Sequence, residues 1–298
     1  MTPNVELTKT RDFGEIITDT LLFIRQNLKP LLKCVLVFCG FFIVAGIFLG
    51  ILQQSKMLNF MNSSFPSPGG RVPVNSPFDF IGVEYFALLF ILFLNYTSMH
   101  VTVLAYISLY KEKGNIPPTV QEVWGYFKYF YFKILGSSIV VSLLLIVASM
   151  LCLAPGVYLF PILAFVYPIM IFENTTFGYA FNRSFKLIKE NWWLTFGTFL
   201  VIGLIMYVAI MVIIMPLTII NMGSMFVHPE KGFHLSTTLT FITTALENVC
   251  QLFFIIPLVA VALCYFNLTE KIENTGLLSR INHLGTTNND SNLPAEEY

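Results

Sequence analysis

The chain has 298 residues, with 17 Lys plus Arg balanced by 17 Asp plus Glu, so its charge offers no footing for a nucleic-acid partner. Hydrophobic residues make up 56% and charged residues only 11%, against roughly 25% charged in soluble domains, which excludes an ordinary soluble fold. With mean hydropathy +0.73, and with apolar runs of about 20 residues that match a hydrocarbon core of about 30 Å, the composition is that of an all-α integral membrane protein.

Residues 1–12 are polar and mixed in charge, without the basic, apolar and small-residue segments of a removable signal peptide, so none is expected. In 13–28, Phe13, Ile16, Ile17, Leu21 and Ile24 recur at helical spacing, while Glu15, Asp19, Arg25 and Gln26 face the other way. That pattern predicts a helix lying in a membrane interface. The first span follows at 31–52. Residues 53–80, rich in Pro, Ser, Asn and Gly, are expected to be irregular. A second span covers 81–110. Pro117-Pro118 and Thr119 signal a helix start, and Val120, Val123, Trp124, Phe127, Tyr131 and Ile134 predict a second interfacial helix over 119–132. Spans at 134–153 and 157–173 follow, joined by a tight Ala154-Pro155-Gly156 turn.

A third interfacial helix is predicted over 174–191, where Phe177, Ala180, Phe181, Phe185 and Ile188 form the stripe and Trp192-Trp193 close it. Shifted by 164 positions, Phe13-Gly14 falls on Phe177-Gly178, Arg25 on Lys189 and Asn27 on Asn191, an internal repeat. The last two spans are read at 194–220 and 239–268. The chain is thus expected to be one membrane domain over 1–285, built as three units of interfacial helix plus helical hairpin, with a disordered tail at 286–298. With the three amphipathic helices and both termini on one side, that side holds 14 of the 17 Lys and Arg residues, which predicts cytoplasmic termini.

No nucleophile elbow, metalloprotease motif, P-loop or dinucleotide fingerprint is present, so no catalytic residue and no cofactor are expected. Cys34, Cys39, Cys152, Cys250 and Cys264 lie in or beside apolar runs with no CxxC and read as small hydrophobes. His228, Glu230 and His234 share one loop, but no third rigid ligand accompanies them, and no metal site is expected. Polar groups inside spans are costly and become the candidates. The last span carries Thr240, Thr243, Thr244, Glu247, Asn248 and Gln251, and the second carries Glu84, Asn95, Ser98 and His100. Glu84 and Glu247 are expected at similar depth. With Asn95, His100, Asn248 and Gln251 they define a candidate polar cavity between the second and sixth spans; the competing reading is hydrogen bonding across helices. Glu173 and Arg183, ten residues apart across a predicted bend, are expected to form a structural ion pair. Trp124, Trp192 and Trp193 are expected as interface anchors. The basic faces carrying Lys128, Arg183, Lys186 and Lys189 would attract anionic lipids.

Over 168–193 the chain resembles the bacterial six-span family known as the glycerophosphoryl diester phosphodiesterase membrane domain. The residues that carry the resemblance are Pro168, Glu173, Ala180, Arg183-Ser184, Leu187 and Asn191-Trp192-Trp193, with Phe13-Gly14-Glu15 ahead of the first span. The resemblance implies a six-span layout in the bacterial inner membrane. Some relatives carry a soluble phosphodiesterase barrel after the membrane part; here about 30 residues follow the last span, so no such activity is expected of this chain. The leading expectation is a non-enzymatic accessory or scaffold subunit for a membrane or envelope protein partner. The alternative is a transporter or lipid-handling protein using a polar cavity, marked by broken helices at mid-depth near Pro161 or Pro257. An intramembrane enzyme would need an acid and base at one depth, for which only Glu84, Glu247 and His100 are at hand.

Overall fold

The computed structural model describes residues 5–64, 81–151, 153–227 and 236–273. Among them every regular element is helical. In order these are α1 Phe13–Ser64, α2 Val83–Glu112, α3 Val120–Leu151, α4 Leu153–Ala164, α5 Val166–Phe172, α6 Phe177–Ile188, α7 Trp192–Val227, α8 Thr237–Cys250, a 3-10 turn Gln251–Phe254, and α9 Ile255–Glu273. Six helical stretches are long and apolar enough to cross a membrane, with α4–α5 and α8–α9 each counting as one. The protein is a multi-pass membrane protein. The loop with His228, Glu230 and His234, residues 65–80 of the segment expected to be irregular, Cys152 and the 286–298 tail lie outside the described residues.

The first two amphipathic segments are not separate helices. Residues 13–28 run through Pro30 into the span as one helix of 52 residues. Its buried face is Ile16, Thr20, Phe23, Asn27 and Leu31, whereas Phe13 and Leu21 of the predicted stripe are 40% and 44% exposed. The segment is therefore built into the bundle. α3 likewise runs unbroken through the second predicted segment. Thr119 and Glu122 cap its start reciprocally, the Thr119 N–H donating to Glu122 Oε2 at 2.6 Å. Only α6 is a helix of its own. Ala180, Ser184, Leu187 and Ile188 are buried, and Phe177, Phe181 and Phe185 pack on the core. Its apolar stripe meets protein along α5 and α4. The 164-residue offset thus relates segments that the structure builds differently.

Two further expectations change. Residues 53–64 are helical, because Leu58 is buried and Lys56 pairs with Glu84 across the hairpin. Ala154, Pro155 and Gly156 form the first turn of α4, where a missing proline N–H has no helical partner to lose.

Packing is uneven along the long axis set by the antiparallel α1–α2 hairpin. Every residue from Thr97 to Tyr110 is buried, and none from Val83 to Leu94 is. α2 packs against α1, α3, α9 and α5. Around it, Tyr106 Oη donates to Asn27 Oδ1 at 3.1 Å and the rings of Phe23 and Tyr110 meet edge to face at 5.2 Å. The segment before α1 closes this packed end. Val5 and Leu7 are buried, and Arg11 is 1% exposed. Arg11 donates to Asp19 Oδ2 at 2.7 Å and to the carbonyls of Glu6, Leu7 and Lys9, and its backbone N–H donates to Asn267 Oδ1 of α9 at 2.7 Å. A buried guanidinium is tolerated here because each side of its fork has an acceptor.

Candidate functional site

The six residues expected to line one polar cavity fall in four places. At the open end, Lys56 Nζ donates to Glu84 Oε2 at 2.6 Å, both side chains partly exposed. Gly82 allows this: a Cβ there would lie 2.5 Å from that carboxylate oxygen and 2.8 Å from Lys56 Nζ. Further in, Asn95, Asn248 and Gln251 form a bonded chain. Asn95 Nδ2 donates to Gln251 Oε1 at 2.5 Å, Gln251 Nε2 to Asn248 Oδ1 at 3.1 Å, and Asn248 Nδ2 to the Thr244 carbonyl at 2.9 Å. No solvent fits between directly bonded amides. Gly46 and Gly50 of α1 let α8 approach; a Cβ on Gly46 would lie 2.7 Å from Asn248 Oδ1, and one on Gly50 3.0 Å from Thr244 Cγ2. Glycines four apart are the usual device for close helix contact in lipid, and amides bonding across it add cohesion.

Glu247 is not in this chain. It is exposed, one position round the helix from buried Asn248. Nor does it share a level with Glu84. Glu84 is level with Lys56 and Asn248 with Gly46, and ten residues of α1 between them rise about 15 Å. The expected acid pair is therefore absent.

His100 lies elsewhere again. It is 8% exposed, its Nδ1 is 2.9 Å from the Tyr96 carbonyl, and its ring packs against those of Tyr96 and Tyr167, with centroids at 4.1 and 4.9 Å. These three residues line a cavity of about 240 Å³ between α2, α3, α4–α5, α7 and α9. The remaining wall is apolar, and no charged side chain lines it. Two helix interruptions border it. Between α4 and α5, Phe165 makes a 3-10 bond to the Ile162 carbonyl, and Pro168 has no N–H to return to the Ala164 carbonyl. Between α8 and α9 the 3-10 turn Gln251–Phe254 precedes Pro257, which offers no N–H to the Phe253 carbonyl. Ala164, Pro168, Phe254 and Pro257 all line the cavity. Pro161, the other proline weighed from sequence, stays inside α4. Of the two prolines that follow the breaks, each three residues on, Pro257 was expected as a break from the sequence and Pro168 was not; the rest of the wall carries no local signal.

Glu173 and Arg183 are an ion pair, Arg183 Nε donating to Glu173 Oε1 at 2.5 Å. Asn174, at φ 47, turns the chain sharply enough to bring α6 back along α5. Two partners were not foreseen: Glu273 at the end of α9, 2.5 Å from Arg183 Nη2, and Tyr265, whose hydroxyl donates to Glu173 at 2.8 Å. Burial pulls the Arg183 guanidinium down, but the bonds to Glu273 and Glu173 outweigh it and hold it above its ordinary value. With Arg11, this gives α9 two arginine-based fastenings at the packed end.

The three tryptophans differ. Trp124 is 45% exposed, stacked on Phe38 and Phe127, with Lys128 over its ring at 4.9 Å. Trp192 stacks on Tyr158 and donates to its carbonyl at 3.1 Å, so it serves packing. Trp193 is 79% exposed. Cys34, Cys39, Cys250 and Cys264 are buried and free, and no group of three metal-ligating side chains occurs among the described residues.

No family model, no curated protein and no solved structure matches the chain.

Proposed function

We propose that the protein handles a small apolar or amphipathic ligand, as a transporter or lipid-handling protein, and that the ligand occupies the cavity beside His100. The observation that carries this reading is that both interrupted spans border the same cavity. Breaks at mid-span are expensive in lipid unless they serve a site, and transporters place their sites at such breaks. The cavity meets α2 at Tyr96, His100 and Leu104, with Tyr96, 43% exposed, on the side of the unburied half, while the far end of the bundle is packed and fastened by Arg11 and Arg183. A ligand then enters from the open end. We place that end outside and both termini in the cytoplasm of a bacterial inner membrane, with anionic lipid around the basic end. The distribution of Lys and Arg supports this orientation. The accessory-subunit reading is set second, because the cavity is a more specific feature than any surface.

Native mass spectrometry of the full chain released from lipid nanodiscs tests the proposal with Gly203→Trp. Gly203 lines the cavity, and a Cβ there meets nothing within 4 Å. A retained small molecule or lipid in the wild type that is lost in the variant supports the reading. Identical spectra from both contradict it.

A further inference from the structure

Resting on that reading, we infer that the cavity selects an uncharged, flat ring bearing a hydroxyl, a phenol-like head, and that His100 recognises the hydroxyl. Size comes first. A cavity of 150 Å³ holds benzene, so one of about 240 Å³ holds roughly ten non-hydrogen atoms. That fits a bicyclic or substituted ring, and since Tyr96 and Phe160 of the wall are 43% and 50% exposed, a longer molecule would leave its remainder outside the cavity. Charge comes next. With no charged side chain on the wall, a phosphate or ammonium group would lie in the bilayer interior without a counterion, at a cost of several kcal/mol.

Shape follows from the wall. Tyr96, His100, Phe160, Tyr167, Phe199 and Phe254 supply six rings, and two of the ring contacts among them, His100–Tyr167 and Phe160–Phe199, are edge to face. Such a wall offers faces and edges to a flat guest. The hydroxyl follows from the tautomer of His100. Its Nδ1 faces a carbonyl oxygen, which only accepts, so Nδ1 carries the proton. Nε2 of the neutral ring is then an acceptor, and no acidic residue lines the cavity to hold a second proton there. A guest matched to Nε2 must donate. An O–H on a neutral ring does this; an ether or a bare hydrocarbon does not.

The experiment is ligand-induced thermal stabilisation of the purified full chain, comparing naphthol, methoxynaphthalene, naphthalene and decanol. These vary the donor and the ring separately. Naphthol is expected to half-saturate at roughly three- to tenfold lower concentration than naphthalene, the worth of one buried neutral hydrogen bond, with methoxynaphthalene close to naphthalene. In His100→Leu that advantage disappears while naphthalene still binds; His100→Gln, which keeps an acceptor, retains part of it. Equal binding of naphthol and methoxynaphthalene overturns the role of His100. Decanol binding as tightly as naphthol overturns the preference for a ring. If none of the ring compounds binds, the inference fails outright. In that case a Met206→Cys thiol reached by an impermeant reagent from the open end leaves the ligand-handling reading standing, and an unreachable thiol removes both.

Discussion

The two halves of α2 differ in a way that inverts the usual guide to a protein core. From Val83 to Leu94 the helix is dominated by Leu and Phe, and no position is buried. From Thr97 to Tyr110 it carries Thr, Ser, His, Ala and Tyr, and every position is buried. In water the first half would be the core. In lipid, apolar side chains gain nothing by meeting one another, and small residues that let backbones approach decide where helices pack. Two threonines of this half bond back to their own helix, Thr97 to the Phe93 carbonyl and Thr102 to that of Ser98, at 3.1 and 2.7 Å, while Ser98 and Tyr106 donate across to the Phe38 carbonyl and Asn27 of α1, so each of these hydroxyls is satisfied within the contact. The packed end is therefore closed by helix contacts, and the open end is left to lipid.

The largest way to break this contrast is to unfasten the packed end. Arg11→Met leaves Asp19 without its partner and the carbonyls of Glu6, Leu7 and Lys9 without their donor, though the backbone bond to Asn267 remains, and should cost about 3 kcal/mol in unfolding of the detergent-solubilised chain. Arg183→Ala strips Glu173 and Glu273 of their shared cation, in a site only part-buried, and should cost about 2 kcal/mol by the same measurement. An Arg183→Ala chain as stable as the wild type would show that α6 is held by its phenylalanines alone.

A smaller effect sharpens the contrast from the middle. Gly46→Leu drives a side chain into Asn248 and should cost about 1–2 kcal/mol, with part of the loss recovered in the double variant Gly46→Leu/Asn248→Ala. Strict additivity of the two changes would mean that α1 and α8 do not meet there. The smallest effect belongs to the open end. Glu84→Gln removes a partly exposed ion pair and should leave the unfolding temperature unchanged within error in high salt, where such pairs are screened. A clear drop would show that this end is held more firmly than its exposure suggests.

Hydropathy made the six spans legible, because a run long enough to cross lipid is a property of one segment. The Glu173–Arg183 pair was legible for a related reason: both members sit within ten residues of one bend. Burial of Arg11 was not, because the stretch that carries it docks on α9 through a backbone bond to Asn267, 256 residues away, and a polar N-terminal stretch reads as solvated. Helical periodicity alone places Thr240, Thr244, Glu247 and Gln251 on one face. The face that meets α1 is instead Thr244 and Asn248, which the glycines of α1 select, and Glu247 is turned out. Amphipathic stripes could not say whether they meet lipid or protein, and α6 meets protein. The cavity was least legible, since five helical stretches supply its wall and only Pro168 and Pro257 hint at it locally.

The most direct test of the account is a cysteine-accessibility profile in intact cells, on a background with the native cysteines replaced and single thiols placed at Leu92, Met206 and Ser108. An impermeant reagent added outside is predicted to label Leu92→Cys, to label Met206→Cys until a ring ligand is added, and to leave Ser108→Cys untouched. Labelling of Ser108→Cys with Met206→Cys unreactive would contradict it, since the sealed end would then be the exposed one and the cavity would have no way in from outside.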